Sequence, residues 1–245
     1  MGFLSILRKA RRKEQELRFL LIGLDNAGKT TVLRRLLGAS EEEVRAAAPT
    51  LGLQVRTWVH PRGYRINLWD VGGQRSIRAY WKNYFEETDA VIWVVDAADE
   101  GRLGSEAGTE LAAVLAEGRL RGVTLLVLAN KGDVPGCMQL GEVAVALGMA
   151  TRWRQVSEAD GEALEAVHGP AGADRIETQR VAPSGHGNRH WRIYRCSAYT
   201  GQGVSEAFAW AVHDVATRLY SFDSQRWREG CTDTPREAVG AAALE

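Results

Sequence analysis

An eight-residue segment, Gly23 to Thr30, combines glycines with a lysine and a threonine in the pattern G-x-x-x-x-G-K-T. It follows an apolar run at 18–23 that predicts a buried strand, and it opens a helical pattern at 28–37. Glycines let the backbone turn tightly, and a helix start adds unpaired N–H groups at the same place. We expect this segment to cradle phosphate groups, with Lys29 reaching the terminal phosphates and Thr30 ligating Mg²⁺. The candidate phosphate-binding residues are Gly23, Leu24, Asp25, Asn26, Ala27, Gly28, Lys29, Thr30 and Thr31.

A second segment, Asp70 to Gln74, follows the strand predicted at 66–70. Asp70 lies where a carboxylate at a strand end would hold Mg²⁺ through a water molecule. Gly73 can offer its N–H to a γ-phosphate, and the amide of Gln74 can orient an attacking water. These are the groups that phosphoryl transfer to water requires. An ordinary turn would explain the glycines but not the carboxylate and amide beside them.

A third segment reads Asn-Lys-Gly-Asp from Asn130 to Asp133, after another apolar run. The Asp133 carboxylate can accept hydrogen bonds from N1–H and the 2-amino group of guanine, and the Lys131 stem can lie along the base. Adenine lacks the 2-amino group and would leave an acceptor unpaired, at a cost of about 1–3 kcal/mol. After the last predicted strand, backbone N–H groups at Ser197 and Ala198 are expected to meet the guanine O6. The three segments together predict a guanine-nucleotide site.

The elements that must position these segments are strands alternating with helices. Strands are predicted at 18–23, 51–59, 66–70, 90–96, 123–129 and 191–196, and helices at 28–37, 106–117, 139–148 and 203–219. This order indicates an α/β protein with a mostly parallel six-stranded sheet, to which a hairpin adds one antiparallel strand. Together with the glycine segment after the first strand, it indicates the three-layer P-loop NTPase fold. Ligands of such sheets bind at the carboxyl ends of the strands, where all three segments fall.

Composition narrows the function classes further. The 245 residues carry 31 basic and 31 acidic side chains, so the net charge of zero predicts no nucleic-acid partner. Three scattered cysteines, Cys137, Cys196 and Cys231, are too few for a disulfide framework and fit a reducing, cytoplasmic setting. No apolar run reaches transmembrane length, and the amino terminus lacks the long apolar stretch of a secretory signal. We expect a monomer.

These motifs resemble those of Arf-family small GTPases, above all the Arf-like subgroup that releases lipidated cargo from carrier proteins (the Arf-like protein three type). The resemblance covers roughly residues 1–153 and 188–219. It is carried by Met1 to Lys9, Gly23 to Thr31, Pro49-Thr50, Trp69 to Arg75, Tyr80 to Phe85 and Cys196 to Gly203. It implies a GTP-binding switch that needs Mg²⁺ and hydrolyses GTP to GDP slowly. Its implied partners are a GTPase-activating protein, a guanine nucleotide exchange factor and effectors such as carriers of lipidated cargo.

The resemblance also assigns roles to residues. It implies that Thr50 lies in the first switch and completes the Mg²⁺ shell in the GTP state, so Thr30 and Thr50 are the predicted metal ligands. It implies that 51–70 is an interswitch hairpin whose register shifts when GTP replaces GDP.

Two residues depart from the family pattern. Leu53 stands where phenylalanine is usual, beside Trp69 and Tyr84, the expected effector contacts, and this leaves the effector open. Gly132 replaces a usual glutamine inside the guanine motif, at a position whose side chain is not needed to read the base.

The chain divides into an ordered domain with additions at both ends. The predicted parts are an amphipathic helix within 1–16, a GTPase domain at 17–219 with an unpatterned insertion at about 155–187, and a flexible tail at 220–245. Within the first part, residues 3–13 place apolar side chains on one arc of a helix and basic ones largely opposite, which suits a membrane surface or an apolar groove. Acylation at Gly2 is disfavoured because Ile6 stands where serine or threonine is usual. We expect a cytoplasmic protein that associates reversibly with membranes; the resemblance adds the cilium and the Golgi as locations.

Two other functions use the same residues. A constitutively GTP-bound adaptor with negligible hydrolysis would keep the site, but the intact Gly73 and Gln74 favour a hydrolysing switch. An ATP-using phosphotransferase would share the glycine cradle, and the Asn130 to Asp133 segment argues against it.

Overall fold

The computed structural model describes residues 15–149 and 190–219, and the backbone alone of 175–178. The helix predicted at 3–13, most of the insertion and the tail 220–245 lie outside these residues. A seven-stranded sheet forms the centre, with the order β2-β3-β1-β4-β5-β7-β6. The strands are β1 (Glu16–Ile22), β2 (Leu53–Val59), β3 (Arg65–Val71), β4 (Ala90–Asp96), β5 (Thr124–Asn130), β6 (Arg175–Thr178) and β7 (Trp191–Arg195).

Helices flank the sheet on both sides. They are α1 (Lys29–Leu36), α2 (Glu41–Arg45), α3 (Arg75–Arg78), α4 (Glu100–Arg102), α5 (Gly108–Ala116), α6 (Leu140–Ala146) and α7 (Val204–Leu219). Two 3₁₀ segments (Ala79–Tyr84 and Gly118–Leu120) and a π-helical turn (Leu103–Ala107) join them. The α-helix predicted at 106–117 begins at Gly108, and the π turn at Leu103–Ala107 precedes it, because the wider turn breaks the 3.6-residue period.

The predicted α/β fold is confirmed. All six predicted strands are present, β2 and β3 form the antiparallel hairpin, and β3, β1, β4, β5 and β7 run parallel. The unpatterned insertion expected at 155–187 needs a correction, because β6 lies inside it and pairs antiparallel with β7 at the edge of the sheet. Four residues are too few for a periodic pattern that would predict a strand from the sequence.

Alternating residues of the central strands enter two separate cores. Val91, Trp93 and Val95 of β4 pack with α5, α6 and the 3₁₀ segment Ala79–Tyr84. Ile92 and Val94 pack with α1 and α7 on the other face. Both faces of β4 are therefore apolar, as buried parallel strands require. The sandwich holds the carboxyl ends of the parallel strands at one edge. In the described part of the chain, no helix has the length and apolarity needed to cross a membrane.

Candidate functional site

The loop from Gly23 to Gly28 joins β1 to α1 and wraps around the Lys29 ammonium. Lys29 is buried, and its Nζ donates to the Gly23 carbonyl at 2.9 Å and to the Leu24 carbonyl at 2.8 Å. Burial lowers the Lys29 pKa to about 8, against the opposing charge of Asp70. Gly28 has φ +89°, and a Cβ there would lie 2.3 Å from Asn130 Nδ2. The loop is thus closed tightly around one cation.

Three oxygen-bearing side chains meet beside this cation. Thr30 Oγ1 lies 2.6 Å from Thr50 Oγ1 and donates to Asp70 Oδ2 at 2.7 Å, while Thr50 Oγ1 donates to the same oxygen at 3.2 Å. Asp70 is fully buried, and burial raises its pKa. Its second oxygen, Oδ1, has no hydrogen-bond partner among the described residues. Hydroxyl and carboxylate oxygens with an unused buried acceptor fit a hard divalent cation such as Mg²⁺.

The segment after β3 lies directly against the cradle. A Cβ on Gly73 would lie 2.4 Å from both Asp25 N and Gly23 O, so only glycine permits this approach. Gln74 follows at the rim of the same cleft, and its Oε1 is buried with no hydrogen-bond partner among the described residues. The cleft is lined by Asp25, Asn26, Gly28, Lys29, Thr30, Thr31, Ala47, Ala48, Pro49, Thr50, Gly72, Gly73 and Gln74.

An ion-pair network joins the cradle to the segment after β3, and sequence reasoning missed it. Arg78, with 6% of its side chain exposed, donates to the Gly73 carbonyl at 2.8 Å and to Glu106 at 2.8 Å. Arg102 donates to Asp25 at 2.8 Å and to Glu106 at 2.9 Å. The hydrogen bond from Arg102 holds the pKa of the Asp25 carboxyl below its usual range. Arg102 and Glu106 are four residues apart, but the contacts of Arg78 with Glu106 and of Arg102 with Asp25 join elements far apart in the chain, and no local pattern marks them.

The loops after β5 and β7 form the far end of the site. Asn130 is buried, donates to the Ala27 carbonyl at 2.8 Å and accepts from the Ala198 N–H at 2.9 Å. Lys131 has φ +64° and pairs with Asp96 at 2.5 Å. Asn130 therefore ties the third segment to the cradle and to the last loop at once.

The remaining predicted residues of this end lie on the same two loops. Asp133 is exposed, and its charge adds to burial in raising the Cys196 pKa to about 12. Ser197 is buried, and its Oγ accepts from the Thr200 N–H at 3.0 Å. The structure thus places all three predicted segments at one edge of the sheet.

Two of the predicted site residues are held in the protein core. The side chains of Leu24 and Ala27 are buried in the two cores, 6% and 1% exposed respectively. These apolar side chains anchor the loop, whose neighbouring residues Asp25, Asn26 and Gly28 line the cleft.

Comparisons with known proteins agree with this geometry. Residues 3–215 match the model of the ADP-ribosylation factor family. The ADP-ribosylation factor-like protein 2 of Arabidopsis thaliana is 40% identical over 223 residues, 91% of this chain and 100% of that protein. Its namesake from Drosophila melanogaster is 42% identical with the same coverage. Among solved structures, the Arl6 BBS3 small GTPase from Trypanosoma brucei with bound nucleotide analogue GppNp matches with a TM-score of 0.62 and 26% identity, over 83% of this chain and 99% of that chain.

The names of these relatives do not confirm the narrower assignment to the Arf-like protein three type, which stays a prediction. The family assignment rests on a match across most of the chain and on relatives covered over their full length. The chain therefore belongs to the ADP-ribosylation factor family and is a small GTPase of the Arf-like kind that binds GTP and GDP.

Proposed function

We propose that this GTPase is a Mg²⁺-dependent switch that hydrolyses GTP slowly by itself and recruits effectors of membrane or lipidated-protein trafficking in its GTP form. The observation that carries the proposal is the meeting of Thr30, Thr50 and Asp70 within 3.2 Å. These residues come from the cradle, the first switch and the end of β3. Their contact is the arrangement that the family resemblance implies for the GTP state.

Four residues of the cleft have proposed roles in binding the phosphates and the metal. Lys29 compensates the charge of the terminal phosphates, Thr30 and Thr50 hold the metal, and Gly73 donates its N–H to the γ-phosphate. When bound, Mg²⁺ would neutralise charge that develops on the phosphate oxygens. Arg78 donates to the Gly73 carbonyl at 2.8 Å and so fixes the orientation of the Gly73 peptide. The proposed nucleotide contacts are Gly23 to Thr31, Thr50, Asp70, Gly73, Asn130, Lys131, Asp133, Ser197 and Ala198.

The test of this function is nucleotide identification in the purified protein, followed by competition of GTP and ATP for the site. We expect guanine nucleotide to co-purify and ATP to compete only weakly, because Asp133 pairs with a 2-amino group that adenine lacks. Equal competition by GTP and ATP would reject the guanine switch and favour a phosphotransferase.

Loss of the metal ligand should weaken nucleotide binding. Thr30→Asn replaces the hydroxyl that lies 2.7 Å from Asp70, so we expect GTP affinity to fall roughly 10- to 100-fold. Titration with a fluorescent GTP analogue measures the change, and chelation of Mg²⁺ should produce a similar loss in the wild type. Thr109→Asn, an exposed position on α5, is the control. A Thr30→Asn affinity equal to the wild type would contradict the metal assignment.

Slow intrinsic hydrolysis is supported by the positions of the two arginines that flank the first switch. The Arg45 guanidinium lies over the Tyr199 ring at 5.5 Å, on the side of the base loops. Arg56 is exposed on β2. We therefore propose that an activating protein supplies the arginine that stabilises the transition state, a contribution of roughly 10³–10⁵ in rate.

An apolar surface formed by the β2–β3 hairpin and the 3₁₀ segment Ala79–Tyr84 is the proposed effector site. Trp69 packs against Tyr84 at 5.6 Å and carries the Arg18 guanidinium over its ring at 4.1 Å. Val55 lies opposite Trp69 in the hairpin and is exposed, and the large apolar side chains of Leu51, Val59 and Tyr80 are exposed as well. Surfaces of this kind mark sites of protein interaction. Arf-like GTPases in general bind activators, exchange factors and effectors, and a lipid-cargo carrier is the effector we propose.

The last part of the proposal couples the nucleotide to membrane binding. The hairpin of β2 and β3 pairs with β1 over six residue pairs, from Glu16 with Arg65 to Leu21 with Asp70. A slide of the hairpin by an even number of residues keeps every side chain on its own face of the sheet, whereas an odd slide would invert them. We propose that GDP shifts the hairpin and opens a groove for the helix predicted at 3–13, and that GTP closes the groove and releases the helix.

Membrane recovery should therefore depend on the nucleotide. We expect the protein loaded with a GTP analogue to co-sediment with anionic liposomes roughly 5- to 150-fold better than the GDP form, because membrane and groove compete for one helix. Removal of residues 1–13 should abolish the difference. Trp69 fluorescence should change on exchange, since the ring lies on the moving hairpin. Equal recovery of the two nucleotide forms would reject the coupling.

We also propose that the protein is a cytoplasmic monomer. Its proposed parts are 1–16, a GTPase domain at 17–219 with an insertion at about 155–187, and a tail at 220–245.

A further inference from the structure

Gly132 owes its identity to space and not to backbone conformation. Its φ is not in the left-handed region. A Cβ built on Gly132 would lie 2.9 Å from Arg195 Cγ, 3.0 Å from Arg195 Nε and 3.0 Å from the Cys196 carbonyl oxygen. The Arg195 side chain therefore occupies the volume that a side chain at position 132 would need.

Arg195 ties the loop after β5 to the end of β7. One guanidinium nitrogen donates to Cys137 Sγ at 2.8 Å, and the other donates to Gln139 Oε1 at 3.2 Å. The Gly132 N–H donates to the Cys196 carbonyl at 2.9 Å beside them. The two side-chain acceptors follow Asp133 in the chain, and Gly132 precedes it. The exposed Asp133 thus lies on a loop that is fastened to β7 on both sides.

We propose that Arg195 is a positioning residue for guanine recognition, which braces the loop 131–139 from across the sheet, and that the glycine at 132 admits it. This inference rests on the proposed function of the loop in reading the base. A free loop would lose conformational entropy when it binds the base, and a brace removes most of that cost beforehand. Arg195 acts through Asp133 and Lys131 and does not itself touch the base.

Arg195→Ala tests the brace through the discrimination between two bases. Inosine diphosphate differs from GDP only in lacking the 2-amino group that Asp133 is proposed to read. We expect GDP to dissociate about two- to tenfold faster from Arg195→Ala, with a smaller change for inosine diphosphate. The dissociation rate of inosine diphosphate divided by that of GDP should therefore be smaller in Arg195→Ala than in the wild type. Arg195→Lys should recover part of the ratio, because an ammonium on a similar stem can make one of the two hydrogen bonds.

A double-mutant cycle tests the pairing of Arg195 with Gly132. Gly132→Ala should displace the arginine and speed GDP release by a similar factor. The double variant should then release GDP no faster than the worse single variant, because both changes remove the same contacts. Rates that multiply in the double variant would overturn the pairing.

Hydrogen exchange of the loop amides tests the brace independently of the nucleotide dissociation rates. The Val134 N–H donates to the Lys131 carbonyl at 3.0 Å and the Cys137 N–H to the Val134 carbonyl at 3.2 Å, both inside the loop. We expect these two amides to exchange faster in Arg195→Ala than in the wild type and in Arg121→Ala, an exposed arginine before the amino end of β5. Unchanged exchange, or GDP and inosine diphosphate rates raised by the same factor, would overturn the proposal. A wild type that does not prefer GDP to inosine diphosphate would instead reject the base-reading function, while exchange still decides the brace.

Discussion

Gln74→Leu should leave GTP bound and lower hydrolysis in the presence of an activating protein by roughly 10²–10⁴-fold. The side chain stands at the rim of the cleft, with its Oε1 buried and without a hydrogen-bond partner among the described residues. A Cβ on Gly72 would lie 2.9 Å from this oxygen, so the neighbouring glycine leaves it room. Leucine has a similar size but no group that can orient a water molecule, while the contacts of Lys29 and Gly73 are kept.

The measurement is phosphate release under single-turnover conditions, with bound GTP quantified in parallel. Gln202→Leu, an exposed glutamine in the loop after β7, controls for the added apolar surface. Stimulated hydrolysis by Gln74→Leu at the wild-type rate would show that another group orients the water. No stimulated hydrolysis by the wild type, with GTP bound throughout, would instead favour the constitutively GTP-bound adaptor.

Asp133→Asn should lower the affinity for GTP by roughly 10²–10⁴-fold, because two hydrogen bonds to an ionised acceptor are lost at once. An amide can donate where the carboxylate only accepts. Xanthosine triphosphate, which carries an oxygen in place of the 2-amino group, should therefore bind the variant better than GTP does. Asp133 is exposed at the mouth of the site, so the substitution leaves the core untouched.

Competition of both nucleotides against a fluorescent GDP analogue gives the two affinities. Glu206→Gln, an exposed carboxylate on α7, removes the same charge away from the site and should keep the wild-type preference. If Asp133→Asn still preferred GTP by the wild-type margin, the carboxylate would not be the group that reads the base.

Much of the site was open to prediction because its residues act through local geometry. The apolar run, the glycine loop and the helical pattern follow one another directly in the chain, from Phe19 to Leu37. The mostly parallel sheet followed from the alternation of strand and helix patterns, and the structure confirms all six predicted strands. Asn130 and Asp70 were placed correctly because parallel strands bring their carboxyl ends to one edge.

The sequence by itself determined the fold class, the three binding segments and the edge of the sheet where they meet. Only the tertiary structure decided how those segments are held. Asp25 pairs with Arg102 across 77 positions of the chain, and Arg195 at the end of β7 lies against Gly132 in the loop after β5. Such contacts depend on the distance between elements after packing, which periodicity and propensity do not encode. β6 was also decided by the tertiary structure, because its four residues carry no periodic pattern and it is defined only by its backbone ladder with β7.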